Sequence, residues 1–326
     1  MVEASARRRA ILAATVFAVL AVAPPVVSAA GEAFLISVLT RIVIYGLAAL
    51  ALDFILGYGG LVSLGHAAFF GIGAYVTAVL SFHAFEETPV LAGIGGSNQA
   101  LVAWPAAIGL AALAALVIGW ISLRTRGVYF IMITLAFGQM LFFLFVSMQR
   151  YGGDDGLSLW WGRNDLGPTS LQDPMTFYYV CLVLLVIAYL ALDRIARAPF
   201  GMALSAAMQN EERARALGVS PLRHRLIAFV ISGGLAGLAG ALIANQTEFV
   251  SPGLMHWTQS GQILVMVILG GMGTLIGPVL GAAALLALEE VLIPVTEHWQ
   301  VVLGPILIVV VLFARRGIAG LFGLGR

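Results

Sequence analysis

One glycine-rich apolar stretch, Gly57 to Tyr75, includes a few side chains that can form hydrogen bonds. Glycines recur there at positions 57, 59, 60, 65, 71 and 73, and Tyr58, Ser63 and His66 lie among them. An apolar helix so rich in glycine either packs closely against its neighbours or is locally unwound at a cavity. Two interpretations stay open. The residues Tyr58, Gly59, Ser63, Gly65 and His66 line a path through the protein, or His66 only hydrogen-bonds a neighbouring helix.

Residue types that catalyse reactions or bind metals are not grouped along the chain. The histidines are scattered without a pair at metal-ligand spacing, and Cys181 is the only cysteine, so an intrachain disulfide is excluded and a cysteine-based metal site is not expected. There is no Walker A sequence, no HExxH motif and no Ser-His-Asp set with supporting context. We therefore expect no metal, no cofactor and no catalytic activity in this chain, which also argues against a membrane-embedded enzyme. The histidines are His66, His83, His224, His256 and His298.

A polar segment at about 197–225 combines charge with helix-forming residues. The run from Met202 to Leu217 is rich in residues that favour a helix, and Gly218 stands where that helix would end. Ser220 and Pro221 would then cap and begin the next helix. The spacing of Ala207, Ala214 and Leu217 places them close to one helical face, which predicts docking into a groove on a partner. An ordinary solvated connection, with arginines near anionic lipid, is the alternative.

The fold that positions these segments must have lipid as its solvent. The chain of 326 residues is 61% hydrophobic and 10% charged, whereas soluble domains carry about 25% charged residues. A spanning helix needs about 20 mostly apolar residues. We expect an all-α, polytopic transmembrane helix bundle of about ten spans (eight to ten), the eighth and ninth being separated by Gly270, Gly271 and Gly273. The candidate spans are 10–30, 34–56, 58–81, 100–122, 127–149, 176–193, 226–247, 258–273, 275–291 and 299–314.

The placement of arginines orients this bundle. Because cytoplasmic segments carry the excess of positive charge, we expect both termini and the segment 197–225 in the cytoplasm. Arg41 and Asp53 fall toward opposite ends of the second span, where charged side chains reach the interface. The first span also has features of a cleavable signal peptide, and we expect it to be retained as a helix. The arginines predicted inside are Arg7, Arg8, Arg9, Arg124, Arg126, Arg194, Arg197, Arg213, Arg215, Arg223, Arg225, Arg315, Arg316 and Arg326.

The segment at about 150–175 is predicted to lie outside the cytoplasm. It contains Asp154 and Asp155 between glycines, and acidic residues outnumber arginines across the predicted outer loops. Docking of a soluble binding protein at Asp154 and Asp155 is one interpretation. Simple exclusion of positive charge from the outer side is the other.

Several patterns resemble known permeases. The run from Glu212 to Gly218 is similar to the EAA motif of ABC importer permeases, in which Glu-Ala-Ala, three residues and Gly form the coupling helix that contacts the ATPase subunit. Here Arg213 replaces the usual first Ala. Gly57 to Tyr75 looks like the signature stretch of the branched-chain amino-acid ABC transporter permease family (LivM-type subunit). Further similarity lies at 126–130, 152–157 and 270–274, so the resemblance extends over about residues 40–315.

This resemblance implies that residues 1–326 form a single permease domain of an ATP-driven importer in the prokaryotic cytoplasmic (inner) membrane. It implies three kinds of partner: a second homologous permease subunit (a heterodimer), two ATPase subunits that bind ATP and Mg²⁺, and a periplasmic or extracellular solute-binding protein. No nucleic acid partner is expected. Glu212, Arg213, Ala214, Leu217 and Gly218 would make the ATPase contact.

The implied activity is alternating access that carries branched-chain or other small amino acids inwards. Urea, short amides or aromatic acids are alternative solutes within the same family. A secondary transporter is the alternative from another class, and it would carry a coupling-ion site of its own near the bilayer midplane.

Overall fold

The computed structural model describes residues 2–29, 31–91, 94–167, 169–294, 301, 304–305 and 317–321. Helices dominate this part of the chain, as the composition predicts. The helices are α1 Val2–Ala29, α2 Ala33–Gly57, α3 His66–Phe85, α4 Ala100–Ser122, α5 Val128–Ser147, α6 Pro174–Arg197, α7 Pro199–Gln209, α8 Glu211–Ala216, α9 Pro221–Thr247, α10 Trp257–Gly270, α11 Gly277–Leu292 and α12 Gly317–Leu321. The connections contain two 3-10 helices, Gln149–Tyr151 and Pro252–Met255, and two antiparallel strand pairs, β1 Pro89–Leu91 with β2 Ile94–Gly95 and β3 Leu157–Ser158 with β4 Phe249–Val250.

Seven of the described helices, α1 to α6 and α9, are long and apolar enough to cross a membrane. Helices α10 and α11 have 14 and 16 residues, fewer than the about 20 that a bilayer requires, and they form a hairpin that turns at 271–276. The tenth predicted span, 299–314, lies almost entirely outside the described residues. The polytopic helix bundle is therefore confirmed, while the number of spans and the membrane side of each terminus stay predictions.

Helix α9 lies at the centre of the bundle and packs along α2, α3 and α4. Its middle, from Gly233 to Ala244, is rich in Gly and Ala and mostly buried. Small residues let helix backbones approach closely, which favours helix association where lipid supplies no hydrophobic drive. Helices α1 and α5 lie at the periphery, and large apolar side chains such as Met132, Met140 and Phe143 are exposed on α5.

The link between α2 and α3 turns back into the bundle. The span predicted over 58–81 is present as α3, but its predicted start is wrong, because residues 58–65 are not helical and α3 begins only at His66. Gly60 lies beside Met208 of α7, whereas Gly65 lies so close to α5 that an added Cβ would overlap the carbonyl oxygen of Thr134. We call residues 58–65 the re-entrant segment. Non-helical backbone at membrane depth is tolerated only where protein buries it or where it lines a cavity.

The predicted helix from Met202 to Leu217 is two helices. The backbone of Asn210 is extended (φ −155°, ψ 106°) and separates α7 from α8. The Asn210 side chain begins α8 by accepting the N–H of Arg213 at 2.9 Å, a local alternative to a continuous helix that Asn commonly offers. The predicted stop at Gly218, with φ +81°, and the predicted start of α9 at Pro221 are confirmed.

The α4–α5 link, the end of α6, helices α7 and α8, and the start of α9 meet at one end of the bundle. We call it the arginine-rich end. Its arginines are Arg124, Arg126, Arg194, Arg197, Arg213, Arg215, Arg223 and Arg225.

Candidate coupling surface and translocation segment

One carboxylate gathers three arginines at the arginine-rich end. Glu211, the first residue of α8, accepts hydrogen bonds on Oε1 from Arg126 at 2.8 Å and from Arg215 at 2.6 Å. Its Oε2 accepts from Arg225 at 3.0 Å, and Arg225 also donates to the carbonyl of Ala207 at 3.2 Å. Because Arg126 lies in the α4–α5 link and Arg225 lies in α9, the cluster ties α8 to both. We call Glu211, Arg126, Arg215 and Arg225 the arginine hub.

The surroundings keep Glu211 charged. Burial acts to raise the pKa of Glu211, but the hydrogen bond from Arg225 and the charges of Arg225, Arg126 and Arg215 outweigh it, so the pKa lies below its ordinary value. The side chains of Glu211 and Arg225 are 14% and 16% exposed, whereas those of Arg126 and Arg215 are 66% and 59% exposed. Exposed ion pairs contribute little to stability. The contact between Glu211 and Arg225 therefore dominates the hub.

Four of the five residues predicted to contact an ATPase form an exposed corner beside the hub. They are Glu212, Arg213, Leu217 and Gly218. Leu217 is 77% exposed. A single exposed leucine is common on protein surfaces, so contact with an ATPase stays a prediction. We call these four residues the α8 corner.

Ala214, the fifth predicted contact, is buried inside the chain, as is Ala207. The prediction that Ala207, Ala214 and Leu217 share one partner-facing stripe is therefore wrong. The break at Asn210 reorients α8, so the two alanines pack internally and only Leu217 faces outwards.

The predicted path residues of the re-entrant segment are all enclosed by protein. Tyr58 is 5% exposed, and Ser63 is fully buried with its Oγ accepting the N–H of Gly65 at 3.3 Å. The N–H of Gly59 donates to the carbonyl of Ile55 at 3.1 Å. These bonds satisfy backbone groups inside the protein, as membrane depth requires.

His66 begins α3 beside the middle of α9. Its Nε2 lies 2.7 Å from Ser232 Oγ, and that hydroxyl donates its proton to the carbonyl of Ala51 in α2. The Ser232 oxygen must therefore accept from His66, which assigns the Nε2–H tautomer and leaves Nδ1 as an acceptor. Nδ1 is buried and has no hydrogen-bond partner among the described residues. Phe69 and Phe229 pack edge-on against the ring, with centroids 5.4 and 5.7 Å away. The hydrogen bond to a neighbouring helix is thus present.

Asp53 is fully buried by protein, so the expectation that its side chain extends out from the end of the span is wrong. Its buried carboxylate accepts the backbone N–H of Gly273 at 2.6 Å and that of Leu275 at 3.0 Å. Both residues have positive φ, 74° and 61°, and the turn forms a concavity of N–H groups that suits an anion. Asp53 therefore holds the α10–α11 turn against the end of α2. Sequence reasoning missed this role because 220 residues separate Asp53 from Gly273.

Arg163, predicted outside, is a structural residue at the opposite end of the bundle. It is 8% exposed and donates to the carbonyls of Asn245 and Leu171 at 3.3 Å each. Asp154 and Asp155 lie in the same connection and are exposed. Their accessibility is what a docking site for a soluble protein would need, and docking itself stays a prediction.

Comparison with known proteins decides the family. The family model described as "Branched-chain amino acid transport system / permease component" matches residues 34–312. The chain belongs to this family. Among its relatives, the high-affinity branched-chain amino acid transport system permease protein LivM of Escherichia coli (strain K12) is 30% identical, with 92% of this chain and 72% of the relative aligned. LivM of Salmonella typhimurium (strain LT2) is 31% identical with the same coverage.

The permease family also extends to other transport systems. The autoinducer 2 import system permease protein LsrC of Salmonella typhi is 36% identical over 33% of each chain. No solved structure gives a significant match. Within the described part of this permease, no group of three or more His, Cys, Asp or Glu side chains is arranged to hold a metal ion.

In this family member Glu211, which directly precedes the motif-like Glu212, makes the ion pairs that join α8 to the α4–α5 link and to α9. Part of the signal was local, because Glu211 and Arg215 stand at the i, i+4 spacing of helical ion pairs. The contacts with Arg126 and Arg225 required the fold.

Proposed function

We propose that this chain is one permease subunit of an ATP-driven importer that moves branched-chain amino acids into the cytoplasm of a prokaryote. The solute class follows the names of the two relatives that align over most of the chain. The proposed partners are a second homologous permease subunit, two ATPase subunits that bind ATP and Mg²⁺, and a solute-binding protein that docks outside near Asp154 and Asp155. The arginine-rich end then faces the cytoplasm, in keeping with its charge.

The observation that carries this proposal is the exposed α8 corner backed by the arginine hub. An ATPase that seats Leu217 and Gly218 in a cleft would move α8 as it closes on ATP. Since Glu211 joins α8 to Arg225 of α9 and to Arg126 of the α4–α5 link, that movement reaches the central helix of the bundle. Coupling of this kind needs an element with two states that both sites bias. We propose that α9, with the helices packed around it, is that element.

The re-entrant segment is the proposed translocation element. Residues 58–65 and His66 contact α9 through Ser232 and α5 through Thr134, so a shift of α9 would change their surroundings. Residues 58–66 contribute hydroxyl groups, one imidazole and backbone groups, and none of their side chains is Asp, Glu, Lys or Arg. Such a lining suits a zwitterionic solute, and discontinuous segments at membrane depth are common solute sites in transporters.

The test substitutes Gly218 in the complex reconstituted into liposomes. An added Cβ at Gly218 meets nothing within 4 Å, but φ is +81°, a conformation that costs β-branched residues about 1–2 kcal/mol and that Asn adopts more readily. Gly218→Val should therefore abolish transport-coupled ATP hydrolysis while the chain remains in the membrane. Gly218→Asn is the matched control and should retain it. Normal coupled hydrolysis in Gly218→Val would refute the coupling role.

Gentle purification from native membranes tests the partners. Two ATPase chains and a second hydrophobic permease should accompany this chain in fixed ratio. Uptake of radiolabelled leucine into the reconstituted complex should need ATP and the binding protein, and competition with urea, short amides and aromatic acids separates the alternative solutes. Uptake that follows an ion gradient without any ATPase would identify a secondary transporter instead.

A further inference from the structure

A cavity of about 160 Å³ opens at the arginine-rich end, between the re-entrant segment, the α4–α5 link, α5 and α9. Part of its wall is apolar and comes from Leu61, Val62, Phe130 and Ile131. A cavity of about 150 Å³ with such a wall is large enough to hold benzene. The cavity as a whole, its polar side included, therefore has room for one small solute with a branched chain of four carbons.

The rest of the wall is cationic. Arg126 and Arg225 both line the cavity, and both belong to the arginine hub, in which three arginines face one glutamate. The Nε of Arg225 is buried and has no hydrogen-bond partner within the part of the chain that the structure describes. A buried donor without a partner costs free energy, more so when it is charged. An oxyanion in the cavity would lie against the Arg126 and Arg225 side chains and would offset the excess positive charge of the hub.

We infer that this cavity binds a small carboxylate that carries a branched apolar chain, with the carboxylate on Arg225 and Arg126 and the chain against Leu61 and Ile131. The transported amino acid belongs to this class of ligand and could occupy the cavity; this part of the inference rests on the function proposed above. The cavity shares Leu61 and Val62 with the re-entrant segment but does not include His66. Phe130 of its wall packs on Phe229, with ring centroids 6.1 Å apart, and Phe229 packs on the His66 ring. A bound carboxylate competes with Glu211 for the same two arginines. When solute accumulates in the cytoplasm, its binding to these arginines therefore weakens their contacts with Glu211 and slows coupled transport.

The experiment measures equilibrium binding to the full chain, purified with the subunits that accompany it, in nanodiscs of neutral phosphatidylcholine. The probes are leucine and 4-methylpentanoate, which has the branched chain and the carboxylate but no ammonium group. 3-Methylbutylamine, which has the branched chain but no carboxylate, should not bind. 4-Methylpentanoate should saturate one site per chain, and leucine should displace it.

Three variants separate this site from general surface charge. Arg126→Gln removes a charge-assisted hydrogen bond and should weaken binding at least about tenfold. Arg124→Gln is the matched control in the same link, since Arg124 lies over the ring of Trp120 at 4.5 Å and does not line the cavity; it should leave affinity unchanged. Glu211→Gln removes the competing carboxylate, and binding should become tighter, by about tenfold. A gain of affinity cannot come from misfolding.

The inference is overturned if 4-methylpentanoate does not bind, if Arg124→Gln and Arg126→Gln weaken binding equally, or if Glu211→Gln does not strengthen it. Full displacement of the probe by phosphatidylglycerol in the nanodisc would assign the site to a lipid phosphate and overturn it as well. Failure of the proposed function is read separately. Binding of 4-methylpentanoate without leucine transport would refute that function and leave the site standing, whereas leucine transport without binding would refute only the site.

Discussion

Removal of the Glu211 carboxylate should release α8 from the bundle. Helix α8 has six residues, too few to be stable in water without tertiary contacts. The half-buried contact with Arg225 should contribute about 1.5–3 kcal/mol. The exposed contacts with Arg126 and Arg215 should add about 0.5 kcal/mol each. In Glu211→Ala, local opening of α8 should therefore become easier by about 3 kcal/mol, which is roughly a hundredfold in the opening equilibrium.

Hydrogen–deuterium exchange measures this opening directly. The reporters are the amides of Ala214 and Val219, which donate to the carbonyls of Asn210 and Ala214 at 3.1 and 3.0 Å. Their exchange should accelerate about a hundredfold in Glu211→Ala. Glu211→Gln keeps an acceptor but loses the charge, so its exchange should be intermediate.

The matched control is Glu212→Ala. This variant removes a carboxylate from the same first turn of α8, and it therefore also removes the favourable interaction of that carboxylate with the helix dipole. Glu212 is exposed and does not belong to the hub. Exchange in this variant should rise by less than about fivefold. Equal acceleration in Glu211→Ala and Glu212→Ala would refute the reasoning, because the dipole and not the arginines would then hold α8.

Three further predictions concern the hub and the buried turns. The pKa of Glu211 is lowered from its ordinary value of 4.5. The stabilisation of α8 by Glu211 should therefore be complete above pH 4.5 and lost as the pH falls through the lower pKa of the folded state. Hydrogen exchange of α8 amides, corrected for the intrinsic exchange rate, should show this acid step in the wild type and not in Glu211→Ala. Gly65→Ala places a Cβ against the backbone of α5 and should destabilise the protein by about 1–3 kcal/mol in thermal melts in detergent, whereas Gly109→Ala, which meets no atom within 4 Å, should not; equal melting temperatures would contradict the close approach. Asp53→Asn leaves one backbone N–H of the α10–α11 turn without an acceptor and should cost about 1–3 kcal/mol in the same melts. An unchanged melting temperature would contradict the stabilising role of the carboxylate.

Much of the helical architecture could be read from the sequence. The spans α2, α4, α5, α6 and α9 lie where apolar runs of about 20 residues predict them. Gly218 ends α8 and Pro221 begins α9 as expected, because glycine adopts positive φ at low cost and proline fits the first turn of a helix. The helix ends depend on residues within one or two turns of each other. The spans depend on the apolar composition that a helix in lipid must have along its whole length.

The errors have a common physical origin. The span predicted over 58–81 and the helix predicted over 202–217 both follow from local propensity. At Asn210 a side-chain cap competes with the helix, and at 58–65 buried contacts with α5 hold the backbone in a non-helical conformation. An apolar composition indicates only that a segment avoids water. The non-helical residues 58–65 are as apolar as many helices, so composition does not distinguish the two.

The amino-acid sequence was enough to predict a helical membrane protein with a charged segment between two spans. It also indicated the permease family through the Gly57–Tyr75 and Glu212–Gly218 patterns, which the family match confirms. Tertiary structure alone decided that Glu211 joins Arg126 and that Asp53 closes the α10–α11 turn, since 85 and 220 residues separate those partners. Local propensities act between near neighbours in the chain, whereas these contacts exist only where helix packing brings distant ends together. For that reason the helices were predictable and the contacts of the site were not.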